Sequence, residues 1–324
     1  MKPKVSVIIT TFNHEKYIAE SINSVLAQTF KDFEVIVIND GSTDSTAEII
    51  QKIVNANSEK IIFINHKENQ RPCSIGNQGL AIARGEYIGW NGGDDIWYPT
   101  KLEKQMKLFT EDPEKNIGIV YCYGENLIES STRFRSKTNA VDLEKDVFKE
   151  LFRSAFFFKI SMLVRKEIHS CVGNFDVSVS SLCRDYEWLL RVAATKYRFD
   201  RVPEILVGHR IHDNNETRNR AIAQQNTKEM LLNIAQKYPQ LIKAKNIDVN
   251  KRLAVCDLES AQYYFVTGKR NEARRLLLNV LKKFPRTILG NKKWLAYFLL
   301  SFLSDNNIER LHKIMPTRNL FKGY

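Results

Sequence analysis

No apolar run in the chain reaches the roughly 18 residues that a membrane-spanning helix needs. The longest candidate, Trp294 to Leu303, is ten residues long and reads as a packed helix. Two lysines precede the first apolar stretch, MKPKVSVIITTFN, but no small-residue cleavage site follows it, so no signal peptide is expected. The five cysteines, at 73, 122, 171, 183 and 256, form no CxxC pair and are odd in number. That excludes a disulfide framework, argues against zinc, and points to reduced thiols in a cytosolic protein. There is no GxGxxG after the first strand-like run and no GxxxxGK[ST] loop. The dinucleotide fingerprint and the P-loop are therefore both missing, and nothing marks the chain as a nucleotidyltransferase that activates a triphosphate.

Acidic residues are also scarce in one place. Residues 1–220 hold 30 Lys+Arg and 30 Asp+Glu, whereas residues 221–324 hold 19 and 7, so the net charge of +12 lies in the last third. With 324 residues and 43% hydrophobic content, the chain can bury one large core plus a small second domain. The charge asymmetry predicts a boundary, with domains at 1–220 and 221–324. The basic part would face an anionic membrane surface or a protein partner. Nucleic acid has the matching sign, but no DNA- or RNA-binding signature is present and no such partner is expected.

What is present begins with Val5 to Thr10, a β-branched run typical of buried parallel strands. A helix from about Tyr17 to Gln28 follows, with Ile18, Ile22, Val25 and Leu26 on one face. Phe33 to Ile38 reads as a second strand, Ser45 to Val54 as a helix and Lys60 to Ile64 as a third strand, which makes a β-α-β-α-β unit. Asn77 to Ala83 reads as a helix leading into the strand Tyr87 to Trp90.

The stretch GEYIGWNGGDDIW then changes from strand to glycines to the paired acids Asp94 and Asp95. Parallel strands open their ligand crevice at their carboxyl ends, glycines allow close approach, and Asp oxygens suit Mg²⁺ or Mn²⁺. Adjacent acids in a turn are also ordinary caps, here before a helix from Thr100 to Phe109. The strand ends Thr10–Asn13, Asp40–Asp44 and Asn91–Asp95 should converge on one nucleotide-type crevice.

Taken in order, PKVSVIITTFNHEKYIAESINSVLAQTF, FEVIVINDGSTDST, NQGLAIARGEYIGW and GGDDIW resemble the family 2 glycosyltransferases, over roughly residues 3 to 215. The resemblance implies an α/β GT-A fold, Rossmann-like with a mainly parallel sheet, followed by an α-helical C-terminal region. It implies sugar transfer from a nucleotide-sugar, commonly a UDP-sugar, to a cell-surface glycan or lipid-linked acceptor, with inversion, at the cytoplasmic face of the membrane. Thr11, Phe12 and Asn13 would border the base and ribose, Asp40 would accept from the base, and Asn77 would join the nucleotide-sugar contacts. Asp94 would be the DxD carboxylate holding a divalent ion, Mn²⁺ or Mg²⁺, with His212 at the metal or diphosphate and Arg210 supporting it. The first acid of that motif falls on Gly92.

After Gly173-Asn174-Phe175-Asp176, the segment RDYEWLLR places Asp185 where the family has its catalytic base, with Arg184 in place of the usual Glu. A neighbouring guanidinium would weaken that base unless Arg184 points to the acceptor. Asp95 would face the acceptor or cap a helix, and Trp188 and Trp97 would stack on a sugar or simply be buried. Each of these acids also has a reading without chemistry: Asp40 and Asp44 as turn and cap residues, Asp185 as a first-turn acid favoured by the helix dipole, and His212 as a packed side chain. Acceptor choice is expected to lie in polar loops such as Glu125 to Val141.

The tail, helical from Gln224, carries Ala261, Tyr264, Gly268, Ala273 and Pro285 at spacings that resemble a single tetratricopeptide-type hairpin, which must pack on neighbours. Lys282, Lys283, Arg286, Lys292 and Lys293 flank its apolar run, as in a solvated basic helix pair or an interfacial helix; the first reading is preferred. The substitutions at Gly92 and Arg184 keep a second class open, a catalytically silent transferase fold that works as a scaffold through its tail.

Overall fold

The computed structural model describes residues 2–70, 72–128, 145–154, 159–212 and 220–303. The chain divides into two compact units, residues 1–215 and residues 216–324.

In the first unit, strands β1 (Val5–Thr11), β2 (Phe33–Asp40), β3 (Ile61–His66) and β4 (Tyr87–Gly92) alternate with helices α1 (Ile18–Leu26), α2 (Thr46–Ala56) and α3 (Pro72–Ile82). Then follow β5 (Ile96–Trp97), α4 (Lys101–Thr110), β6 (Ile117–Ile128), α5 (Val147–Arg153), β7 (Leu163–Arg165), α6 (Glu167–Val172), α7 (Arg184–Ala193) and β8 (Arg198–Ile211). The eight strands of the described residues form one sheet in the order β3-β2-β1-β4-β7-β6-β8-β5. The β1–β2, β1–β4, β2–β3 and β6–β8 pairings are parallel, and β7 and β5 join antiparallel.

The β-branched runs explain the first four strands. Val5, Val7 and Ile9 face Ile18, Ile22 and Val25 of α1 in the main core, while Ile8 is equally buried on the opposite side of β1. A strand buried on both faces needs a continuous apolar run. Each strand continues past its apolar run into polar residues, because the ladder still pairs Thr11 with Asn39 and Asp40 with His66. Of the expected loop from Glu125 to Val141, residues 125–128 end β6, where Glu125 pairs with Gly208 of β8, and residues 129–141 lie outside the described residues.

Lys101 is the odd member of this core. It is fully buried, with Nζ 3.7 Å from the Trp97 ring centroid and donating to Gln105 Oε1 at 2.8 Å. Burial lowers its pKa to about 8, against a small opposing pull from Cys122. The unfolded chain keeps this proton up to about 10.5, so between the two values it binds more protons than the native chain. Stability therefore rises with pH across that window, and the penalty is fully present below it. Lys101→Met is expected to remove this slope, so that its stability relative to the parent improves by about 3 kcal/mol as pH falls through the window. Urea unfolding at both ends of the window measures it; parallel stabilities of parent and variant would refute it.

The described residues of the second unit form helices: α8 (Arg220–Lys237), α9 (Pro239–Ala244), α10 (Val249–Val266), α11 (Arg270–Lys283), α12 (Pro285–Leu289) and α13 (Lys292–Leu300). Gly268, at φ +80°, turns the chain between α10 and α11, a conformation that glycine adopts without strain. Fully buried Ala261 and Ala273 share a core with Leu258, Leu277, Val280, Ile288 and Tyr297. Lys282, Lys283, Arg286, Lys292 and Lys293 are exposed, and so are Leu299 and Phe302. Among the described residues, no helix is long and apolar enough to cross a membrane.

Candidate active site

Because β1 lies between β2 and β4, the ends of these strands sit side by side. The turn after β1 is tied to the turn after β2. Asn13, at φ +55°, accepts at Oδ1 from the Thr43 amide (2.8 Å) and donates its own amide to Ser42 Oγ (2.9 Å). The His14 amide donates to Thr46 Oγ1 (2.9 Å) and the Glu15 amide to Asp44 Oδ2 (3.1 Å). Asp44 also caps α2 by accepting from the Thr46 amide (3.0 Å). Burial alone would raise its pKa, but the bonds it accepts outweigh burial and hold it below the usual value. Asp44 is therefore a structural residue. Thr11 is buried, and Phe12 stands exposed.

Asp40 is buried at the end of β2. Its Oδ1 accepts from the Gln70 amide at 2.7 Å, and its Oδ2 has no partner among the described residues. A buried carboxylate oxygen left unpaired is costly. Gly41, at φ +73°, permits the close passage of residues 68 and 69, since a Cβ there would lie 2.6 Å from the Glu68 carbonyl carbon.

At the end of β4 the two glycines have steric work. A Cβ at position 92 would lie 2.6 Å from Asp94 Oδ1 and 2.7 Å from Asp95 Oδ2, and one at position 93 would lie 2.7 Å from His14 Nδ1. The room that an acid at 92 would need is filled by the carboxylates of Asp94 and Asp95. The two acids then differ. Asp95 is buried and accepts at Oδ1 from the Arg210 amide (2.9 Å), with His209 Nδ1 at 3.0 Å. Burial raises its pKa, the neighbouring charge of Asp94 adds to this, and His209 works against it. On His209, burial disfavours the charged ring, but the Asp95 hydrogen bond and the charges of Asp95 and Asp94 prevail and raise its pKa. Asp95 thus locks the start of β5 to the end of β8.

Asp94 faces the crevice instead. Its Oδ2 lies 3.0 Å from His212 Nε2 and 4.0 Å from His14 Nε2. Ligand atoms of His14, Asp94 and His212 all fall within 4.8 Å of one another. Arg210 braces this group: its Nε donates to the Asp94 carbonyl (2.9 Å), its guanidinium pairs with Glu20 (2.6 Å) and it lies over the Tyr17 ring, which stacks on His212. His14 Nδ1 is 3.2 Å from Thr11 Oγ1. Burial lowers the His14 pKa and His212 adds to that, with the charge of Asp94 opposing, so a neutral imidazole is favoured. Two imidazoles, one carboxylate and a hydroxyl behind one ring fit a divalent cation.

Asp185 lies in the first turn of α7, half-buried, with Oδ1 accepting from the Tyr186 amide (3.1 Å), and Arg184 precedes it. Trp188 is buried; its Nε1 donates to the Gly173 carbonyl (2.9 Å) and its ring stacks on His169 at 4.6 Å. Asn77 is reciprocally bonded to the Phe175 backbone, donating at 2.9 Å and accepting at 3.2 Å. Phe175 in turn packs on Trp90 (5.2 Å) and Trp188 (5.7 Å). These two residues therefore form a clamp that seats α7 against β4, the strand that leads to Asp94. His169, inside the clamp, is kept neutral, its pKa pushed down to about 3 by burial and by Arg191, Lys159 and Lys166. Lys159, 4.3 Å from the Trp90 ring centroid, brings a cation that the linear sequence does not mark.

Comparison with known proteins places the chain in a family. A family model described as glycosyl transferase family 2 matches residues 6–173. The chain is 33% identical over 227 residues to an uncharacterized glycosyltransferase of Rickettsia typhi, covering 68% of each chain. It is 42% identical over 104 residues to the putative glycosyltransferase EpsE of Bacillus subtilis, covering 32% of this chain and 37% of that one. Among solved structures, a Pyrobaculum calidifontis mannosyltransferase in complex with GDP-Man and Mn²⁺ superposes with a TM-score of 0.61 at 16% identity, covering 93% of this chain and 84% of that one. Residues 1–349 of S. aureus TarS in complex with UDP-GlcNAc give 0.55 at 17% identity, covering 92% and 89%. At such identities the structural likeness establishes the GT-A fold, and the sequence matches carry the rest: the chain belongs to glycosyltransferase family 2.

Proposed function

We propose that this glycosyltransferase transfers a sugar from a UDP-sugar, with inversion and with the aid of a divalent cation, to a hydroxyl of a cell-surface glycan or lipid-linked acceptor. One juxtaposition carries the reading: the buried Oδ2 of Asp40, without a partner among the described residues, at the end of β2 and the Asp94–His212 pair beyond β4 flank the turn Thr11–Asn13. An acceptor-only carboxylate suits the N–H edge of a uracil. Asp94 and His212 would hold the divalent cation, whose charge would offset that of the departing diphosphate. GDP-Man with Mn²⁺ and UDP-GlcNAc, bound by the two fold neighbours, are donors of this chemical class.

Asp185 is the group to take the proton from the acceptor hydroxyl. As the acceptor loses that proton, its oxygen attacks the anomeric carbon and the bond to the diphosphate breaks on the opposite face, which inverts that centre. Arg210 holds the Asp94 backbone, and Asp95 and His209 fix the loop on which Asp94 stands. The exposed lysines and arginines of the helical unit support association with an anionic membrane leaflet where such acceptors reside.

Calorimetric titration with UDP, GDP, dTDP and CDP, each with and without Mn²⁺, tests the donor. UDP with Mn²⁺ is expected to bind tightest, and Asp40→Asn to weaken it by about 10- to 100-fold, the worth of a hydrogen bond to a charged group. Failure of all four nucleotides under both conditions would overturn the proposal.

A further inference from the structure

The acid missing at position 92 leaves one question about the cation: what else on this chain reaches it. We infer that His14 is a third protein ligand, so that the site offers two imidazole nitrogens and one carboxylate oxygen and selects Mn²⁺ over Mg²⁺. The inference rests on the reading of this crevice as a metal-assisted nucleotide-sugar site.

Four observations support the assignment. His14 Nε2 lies 4.0 Å from Asp94 Oδ2, on the oxygen that His212 Nε2 approaches at 3.0 Å, and the two rings meet edge to face at 5.9 Å. Its other nitrogen is beside the hydroxyl of buried Thr11, at 3.2 Å. A ligating imidazole commonly uses its far nitrogen in this way, which leaves Nε2 as the lone-pair donor. The backbone is preset as well, because the His14 amide is bonded to Thr46 Oγ1 directly after the left-handed Asn13. Finally, the carboxylates of Asp94 and Asp95 stand where a side chain at position 92 would begin, so a second oxygen ligand from that position would have to displace them.

The donor set decides the ion. Mg²⁺ demands octahedral oxygen coordination and keeps its waters, whereas imidazole suits transition ions. Three side chains gathered within 4.8 Å also allow the cation to bind before the nucleotide.

Nucleotide-free protein titrated with MnCl₂ or MgCl₂, followed by Mn²⁺ electron paramagnetic resonance, tests this. The parent is expected to bind Mn²⁺ at least about 10-fold more tightly than Mg²⁺, the ordering that nitrogen ligands impose. Both His14→Ala and His14→Gln should weaken Mn²⁺ by about 10-fold or more while leaving Mg²⁺ nearly unchanged. Spin-echo modulation from ¹⁴N should fall from two imidazoles to one. Unchanged Mn²⁺ affinity and unchanged modulation in both folded variants would overturn the role of His14. If Asp94→Asn weakens Mn²⁺ in that case, only His14 is removed from the site. If Asp94→Asn also leaves Mn²⁺ binding intact, the metal-assisted reading of the crevice fails with it.

Discussion

Asp94→Asn is expected to lower sugar transfer by at least about 10³-fold, equivalent to about 4 kcal/mol of transition-state stabilisation, without unfolding the chain. Asp94 brings the only carboxylate of the His14–Asp94–His212 group, and Asp95 cannot replace it because His209 and the Arg210 amide already occupy its Oδ1. An asparagine keeps the size and an oxygen acceptor, and the backbone carbonyl that Arg210 holds is untouched, so the local fold should survive. What is removed is the negative charge proposed to bind the cation. Both nucleotide affinity in Mn²⁺ and turnover should therefore fall together, measured as diphosphate release in the presence of acceptor alongside calorimetry. Transfer at the parent rate would remove Asp94 from the reaction.

The strands were legible wherever an apolar run fixes burial. Val5 to Thr10 and Phe33 to Ile38 read as buried parallel strands, and the strands run on to Thr11 and Asp40. The convergence of Asp40, Thr11 and Asp94 followed from that, because parallel strands end on one edge. His14 was not legible, since nothing in the local sequence says that it faces a residue eighty positions later; the signal lay in its place one residue after Asn13, on the edge already marked. Gly92 could be read from sequence only as a lost acid, whereas the structure shows a position closed by two carboxylates. Asn77 and Trp188 carried the family pattern, yet their side-chain polar groups serve the backbone of the 173–175 segment. Motif position alone does not tell a residue that touches substrate from one that seats the helix beside it. The strand β6 was hidden for another reason: its last residues, Glu125 to Ile128, are held by pairing with β8, and strand pairing has no local composition.

That distinction sets up the second large effect. Asp185→Asn is expected to reduce turnover by about 10³-fold, within the range for a general base, while UDP and Mn²⁺ affinity stay at the parent values. Asp185 stands in the first turn of α7, and α7 is fixed to β4 through Trp188, Phe175 and Trp90 without using the Asp185 carboxylate. Its one described bond is from the adjacent Tyr186 amide, which an asparagine oxygen can also accept. The clamp should therefore persist, and the change should register in chemistry alone. A variant that retains turnover would reduce Asp185 to a first-turn acid favoured by the helix dipole. One that loses nucleotide affinity in parallel would make it part of the donor site, and the acceptor's proton would need another recipient.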